Sequence, residues 1–209
     1  MSLEEMSRSH GEEARVRGGW CAILRRELNY LMEHERRAIG DSGIDAFDDA
    51  IAAAGCVGWV PAASFSDFIE RVVAATGEER FGDYYQHVTL QGMGSPLLRA
   101  STSAMVRLLG RKAMVRSFAP AWELVARGCA RIQIAQSESM VETTVAFSDL
   151  PPSLQGSRAW TCVCLASLRA SIDFGGFHGR VTEIDSGDPT ALRFQMTMHA
   201  KADDSSELT

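Results

Sequence analysis

The chain lacks the residue groupings that most enzyme chemistries require. Its five histidines, His10, His34, His87, His178 and His199, are scattered, with no H-E-x-x-H or other paired spacing, so no helix-borne zinc site is encoded. The absence of a G-x-S-x-G pattern excludes the nucleophile elbow of the α/β-hydrolases. Gly92-x-Gly94 has no third glycine and no strand before it; it is neither a phosphate loop nor a dinucleotide fingerprint and reads as a helix break. Apolar runs stay well short of the roughly 18 residues of a membrane span. The stretch Met1 to Glu13 is polar and acidic, without the apolar segment of a secretory signal. The cysteines, Cys21, Cys56, Cys129, Cys162 and Cys164, are odd in number and irregular in spacing, which fits a reducing compartment and not a disulfide framework. These absences lead to the expectation of a cytoplasmic protein that is not an enzyme and that holds neither metal nor cofactor.

What is present suits one globular domain. The chain has 209 residues, 45% hydrophobic and 23% charged, and a chain of that length buries roughly 70% of its unfolded surface on folding. A net charge of -6 and a pI near 5.4 argue against a broad nucleic-acid or anionic-membrane surface. Residues 1–14 and 201–209 are polar and expected to be disordered. Between them, 15–200 reads as a single α+β domain, helical over 15–120 and a hairpin–helix–hairpin unit over 121–200.

The sheet signal comes from period-2 alternation. Ala130, Ile132 and Ile134 alternate with Arg131 and Gln133. After a polar turn at Ser137-Glu138-Ser139, Val141, Thr143, Val145 and Phe147 alternate again until Asp149-Leu150-Pro151-Pro152. Leu192, Phe194, Met196 and Met198 define the last strand, paired with a weaker one over Gly179 to Asp185 through the turn residues Ser186-Gly187-Asp188-Pro189. Between the hairpins, Trp160, Val163, Cys164, Leu168 and Ile172 recur at helical spacing. Ser157 to Phe174 is therefore expected as a helix on the sheet, ended by Gly175-Gly176.

Upstream, an apolar stripe from Val16 to Leu31 predicts a first helix that ends near Gly40, and Ala46 to Ala54 a second. Gly58-Trp59-Val60-Pro61 reads as a turn that opens a third helix through Thr76. A fourth runs from Glu78 to about Leu90. Pro96 opens a fifth through Leu109, followed by a short segment ending near Phe118.

Three features invite a functional reading. Cys162 and Cys164 stand two apart, about 200° of helix rotation, so the thiols face opposite ways and read as buried core groups. Leu97 to Arg131 holds seven basic residues against one acid, with Arg107, Arg111 and Lys112 at its centre; a partner-docking patch and a solvated face both fit. Trp122, Phe147, Trp160, Cys164 and Met196 come together where the helix meets the sheet. They line an apolar ligand pocket or simply fill the core. Cys162, Ala166 and Ala170 form a small-residue stripe that admits a close helix partner, within the monomer or across a homodimer.

The order helices, hairpin, helix, hairpin resembles the fold shared by 4-vinyl reductase domains, haem-NO-binding domains and core subunits of the TRAPP trafficking complex. Glu183-Ile184-Asp185-Ser186-Gly187-Asp188-Pro189 followed by Phe194 is similar to the E-x-x-C-x-x-G-D-x-x-C-x-F signature closing 4-vinyl reductase domains, with one insertion. Both signature cysteines are absent, and so is the Y-x-S-x-R motif of the haem branch; the resemblance thus implies the fold without the metal or the haem. Gly58-Trp59-Val60-Pro61, Leu108-Leu109-Gly110-Arg111-Lys112 and Gly176-Phe177-His178-Gly179-Arg180-Val181 resemble an uncharacterised family of myxobacterial proteins of about this length. The expected function is a non-enzymatic small-molecule-binding or sensory module. A scaffold protein that docks or dimerises through a helix face is the alternative. A cavity above about 300 Å³ discriminates in favour of the first.

Overall fold

The computed structural model describes residues 13–94, 114–137 and 141–200. In chain order these form β1 (Arg15–Arg17), α1 (Gly18–Arg26), a 3-10 turn (Glu27–Tyr30), α2 (Glu33–Ile39), α3 (Asp41–Ala54), β2 (Trp59–Pro61), α4 (Ala62–Thr76) and α5 (Glu78–Met93). Then come α6, described over 114–125, β3 (Ala126–Arg127), β4 (Arg131–Gln136), β5 (Glu142–Ser148), α7 (Arg158–Phe174), β6 (Phe177–Ile184) and β7 (Leu192–Ala200). The architecture is α+β, with an N-terminal helical part and two antiparallel sheets. No helix among the described residues is long and apolar enough to cross a membrane.

The larger sheet has the order β4-β5-β7-β6, antiparallel throughout. Its register sets Val145 opposite Phe194 and Val181 opposite Met196. Alternation therefore puts Val145, Phe147, Phe194, Met196 and Val181 on one buried face, while Arg193, Gln195 and Thr197 fall on the other. The hairpin–helix–hairpin unit is thus present as the alternation implies.

α7 is the centre of the molecule. It packs against α4 and α5 and also against β6 and β7, so it is buried nearly all round, as its apolar and small residues require. Ser157 caps its start, the hydroxyl accepting the Trp160 N–H at 3.0 Å, which satisfies one of the free donors of the first turn. It ends as expected at Gly175-Gly176, where Gly176 takes φ 71°, a backbone conformation that glycine adopts without steric cost. Arg158, the first residue of α7, fastens the start of the helix to two other elements, with hydrogen bonds to Glu78 at the start of α5 and Glu183 on β6.

The structure departs from the sequence reading in the N-terminal half. A second, three-stranded sheet of order β2-β1-β3 pairs Val16 with both Val60 and Ala126. The residues at Val16 and Trp59 read as helix and turn are therefore strand. The Val16–Leu31 stripe is split into β1, α1 and the 3-10 turn. Its expected continuation is a separate helix, α2, whose Glu35 carboxylate accepts the Met32 N–H at 2.7 Å. α3 begins at Asp41, ahead of the expected Ala46, and α6 runs on through 125 instead of stopping near Phe118. The fifth helix expected between Pro96 and Leu109, residues 1–12 of the 1–14 segment expected to be disordered, the whole of the expected tail 201–209, and most of the first hairpin turn lie outside the described residues.

Candidate ligand-binding cavity

A cavity of about 470 Å³ lies among the helices. α7 supplies its longest wall: Trp160, Val163, Ser167, Ser171 and Phe174 recur at three- and four-residue spacing along one stripe. At 1.5 Å per residue that stripe is about 21 Å long. α6 runs opposite with Met114, Phe118, Ala121, Trp122 and Val125; α1 adds Trp20 and Ile23; α5 adds Tyr85, Thr89, Gly92 and Met93; α4 adds Phe65. The cavity is an elongated apolar slot. Leu124, 65% exposed, lies along its open side.

Polar groups in the slot are few and mostly committed. The hydroxyls of Thr89, Ser117 and Ser171 donate to Tyr85 O, Met114 O and Ser167 O at 2.7–2.8 Å, so their protons stay with their own helices. Trp20 Nε1 donates to Tyr85 Oη at 3.0 Å. Burial pushes the Tyr85 phenol far above its usual range, and the Trp20 hydrogen bond only partly offsets that. Arg17 is tied at the edge: Nε donates to Leu124 O at 3.2 Å, Nη1 to Val57 O at 2.7 Å, and the guanidinium lies 3.9 Å over the Trp59 ring. The indole Nε1 atoms of Trp122 and Trp160 are buried and, among the described residues, have no partner.

Of the five residues read as ligand-binding, Trp122 and Trp160 line the slot, their rings 5.7 Å apart and edge-on. The other three do not. Phe147 stands behind Trp122, with centroids 5.1 Å apart, and Met196 is buried on the same sheet face. Cys164 is buried on α7 beside the lining stripe without reaching the slot. The space therefore sits between helices, one side-chain layer from the helix–sheet interface where the sequence placed it. Interlocking aromatics fill that interface: Phe147 meets Phe118, Trp122 and Phe194 edge-on.

Several lining residues escaped the sequence reading, chiefly Trp20, Phe65, Tyr85, Met93 and Met114. One signal was present: α7 carries two serines, Ser167 and Ser171, between aromatic ends on the stripe that faces other helices, and small side chains there leave room. Gly92, read as a helix break, lies inside α5. A Cβ at that position would stand 2.6 Å from the Trp20 ring, so glycine is what lets the indole lie against the helix.

The remaining candidates offer little chemistry. Burial pushes the Cys21 and Cys129 thiols up to about 12 and raises those of Cys162 and Cys164, the behaviour of inert core cysteines. Among the described residues no group of three His, Cys, Asp or Glu is placed to hold a metal. Cys162, Ala166 and Ala170 are buried within the monomer. Arg107, Arg111 and Lys112 lie outside the described residues. A depression of about 550 Å³ on the solvent face of the larger sheet is lined by Glu142, Arg180, Thr182, Gln195, Thr197 and His199; it is polar and open to water.

The fold is similar to that of H-NOX (haem-NO-binding) proteins. A variant of the K. algicida H-NOX protein in its Fe(II) unliganded form matches with a TM-score of 0.55 at 13% identity, over 88% of this chain and 97% of that one. The K. algicida H-NOX protein itself, also Fe(II) unliganded, matches at 0.50 and 12% identity, over 88% and 96%. A trafficking protein particle complex subunit 3 from Naegleria fowleri, covalently bound to palmitic acid, matches at only 0.38 and 12% identity, over 66% and 81%, too low a score to carry an inference. No protein-family model matches the chain, and no curated protein does. At such identities the likeness establishes the fold and no more.

That fold family implies a haem, and the described residues do not fit one. Haem iron takes an axial histidine, cysteine thiolate or tyrosinate, or a methionine paired with histidine. Among the described lining residues there is no histidine or cysteine. The phenol of Tyr85 is held protonated by burial and engaged by Trp20. Residues 95–113 contain no histidine, cysteine or tyrosine.

Proposed function

We propose that this chain is a non-enzymatic binding or sensory module that holds an apolar small molecule in the slot between α5, α6 and α7. The observation that supports this reading most directly is the slot itself: about 470 Å³ of space walled by aromatic and aliphatic side chains, within the size range of small-molecule sites and well above the voids of a packed core. The H-NOX-like fold is consistent with a sensor built around an enclosed guest, here without the metal. The small-residue stripe that supported the scaffold alternative is used up inside the monomer. The test is native mass spectrometry of the purified protein, joined to thermal unfolding with added hydrophobic ligands. A guest raises the melting temperature in step with RT ln(1 + [L]/Kd). Ser167→Phe, which places a phenyl ring in the slot, abolishes the shift and leaves the fold intact. Bare polypeptide in the mass spectrum together with no thermal shift from any apolar ligand overturns the reading.

A further inference from the structure

One cation stands at the open side of the slot, and the fold leaves its charge unneutralised. Arg17 is the one charged side chain among the described lining residues. Its guanidinium is fixed in place: Nε donates to Leu124 O, Nη1 to Val57 O, and the group lies over the Trp59 ring. Both acceptors are backbone carbonyls, which orient the cation without cancelling its charge. Among the described residues no carboxylate pairs with Arg17, and Nη2 has no hydrogen-bond partner. The orphaned indole nitrogens of Trp122 and Trp160 are shut away from solvent, whereas Nη2 of Arg17 is accessible. An incoming acceptor reaches it without any rearrangement of the two carbonyl contacts.

The surroundings of this cation are apolar. Its carbonyl partners belong to Val57 and Leu124, which at 86% and 65% are the two most exposed large apolar side chains among the described residues. Inward from Leu124, the α6 side of the slot passes Trp122 and Phe118 to Met114, about 15 Å along the helix. Met114 closes against the end of α7, where a Cβ on Gly175 would stand 2.5 Å from its Sδ. The hydroxyls along the slot donate to their own helices. A fixed cation at the wet end of an apolar path is complementary to an amphiphile. An anionic head at Arg17 gains a charge-assisted hydrogen bond while staying at the water edge, so no charge is buried. A guanidinium already held in one orientation loses little freedom on taking a carboxylate. A cationic head would meet like charge there.

We infer that the guest is an amphiphile with an apolar chain and a carboxylate head, bound with the head at Arg17 and the chain directed along α6 toward Met114. This rests on the reading of the slot as a ligand site, and the test separates the two. Decanoate, decan-1-ol, decylammonium and acetate are titrated into the intact protein at neutral pH. Methionine methyl and arginine Nε–H signals are followed by NMR. Decanoate binds at least about tenfold more tightly than decan-1-ol, the scale of one charge-assisted hydrogen bond, and decylammonium binds more weakly than either. That advantage of acid over alcohol shrinks as salt is added, because the head stays near water. Decanoate and decan-1-ol both move the Met114 methyl signal; only decanoate moves the Arg17 Nε–H signal. Acetate binds far more weakly than decanoate, since the chain supplies most of the affinity. Arg17→Gln brings decanoate down to the affinity of decan-1-ol and leaves the alcohol's own affinity unchanged. The ligand series on the unsubstituted protein stands whether or not the variant folds. Equal affinity for acid and alcohol, tighter binding of decylammonium, or an unmoved Arg17 signal overturns the assignment of the head while leaving an apolar pocket. Acetate bound as tightly as decanoate overturns the assignment of the chain, and binding of none of the decyl compounds overturns the pocket itself.

Discussion

Replacing Trp160 separates packing from hydrogen bonding at the heart of the fold. The side chain is 1% exposed, set edge-on against Phe65 at 6.1 Å and Trp122 at 5.7 Å. Removing it in Trp160→Ala discards a large buried ring and both aromatic contacts, for a loss of about 3–5 kcal/mol. Trp160→Phe keeps a ring in the same place. It gives up the volume of roughly two methylene groups, about 1.6 kcal/mol, and also removes an unpaired buried N–H that costs about 1–3 kcal/mol. The two effects offset to within about 1.5 kcal/mol, so the phenylalanine variant lies far closer to wild type than the alanine one in guest-free protein. Urea unfolding followed by far-ultraviolet circular dichroism measures both, provided the slope m is unchanged. A loss under 1 kcal/mol for the alanine variant would show that α7 is not the central packed helix. A phenylalanine variant as damaged as the alanine one would show that the indole N–H is hydrogen-bonded after all.

Gly179→Ala tests the β6–β7 register: a Cβ there would stand 2.0 Å from Thr197 O, so the ladder must part, at a cost of about 1–3 kcal/mol in the same unfolding assay. The Arg158 link predicts a pH effect. Its hydrogen bond holds the Glu78 carboxyl below the usual carboxylate range, so this contribution is present above the unfolded carboxylate pKa and lost as pH falls through the lower folded value. Arg158→Ala therefore costs stability at pH 7 and flattens the acid limb below about pH 4.5. The change stays under about 1 kcal/mol, because both side chains are about half exposed and solvent screens the pair; a wild-type acid limb in the variant would refute the link. With iodoacetamide at neutral pH, the exposed Cys56 reacts rapidly in the native protein and the four buried thiols only after unfolding, read as mass increments; fast native labelling at Cys21 or Cys129 would contradict their burial.

Much of the C-terminal half was written in local pattern. β5, β7 and α7 each carry enough consecutive residues for a period of 2 or 3.6 to declare itself, and Ser157 and Gly175-Gly176 mark the ends of α7 through backbone chemistry that needs no partner. The small sheet had no such signature. β1, β2 and β3 span three, three and two residues, too few for alternation to register, and they pair across gaps of more than 40 positions, as Val16 does with Val60 and Ala126. The sequence also identified an aromatic cluster rich in Trp122, Phe147 and Trp160, because large apolar side chains must be buried somewhere. Which of them meet empty space and which meet one another depends on the offsets between α6, α7 and the sheet, a property of tertiary packing. Those offsets close Phe147 and Met196 into the helix–sheet interface and open the slot one layer away, beside Trp20, Tyr85 and Met114. The absence of the Y-x-S-x-R motif could be read from the sequence alone. The two unpaired indole donors could not, since a donor is orphaned only by where its neighbours stand.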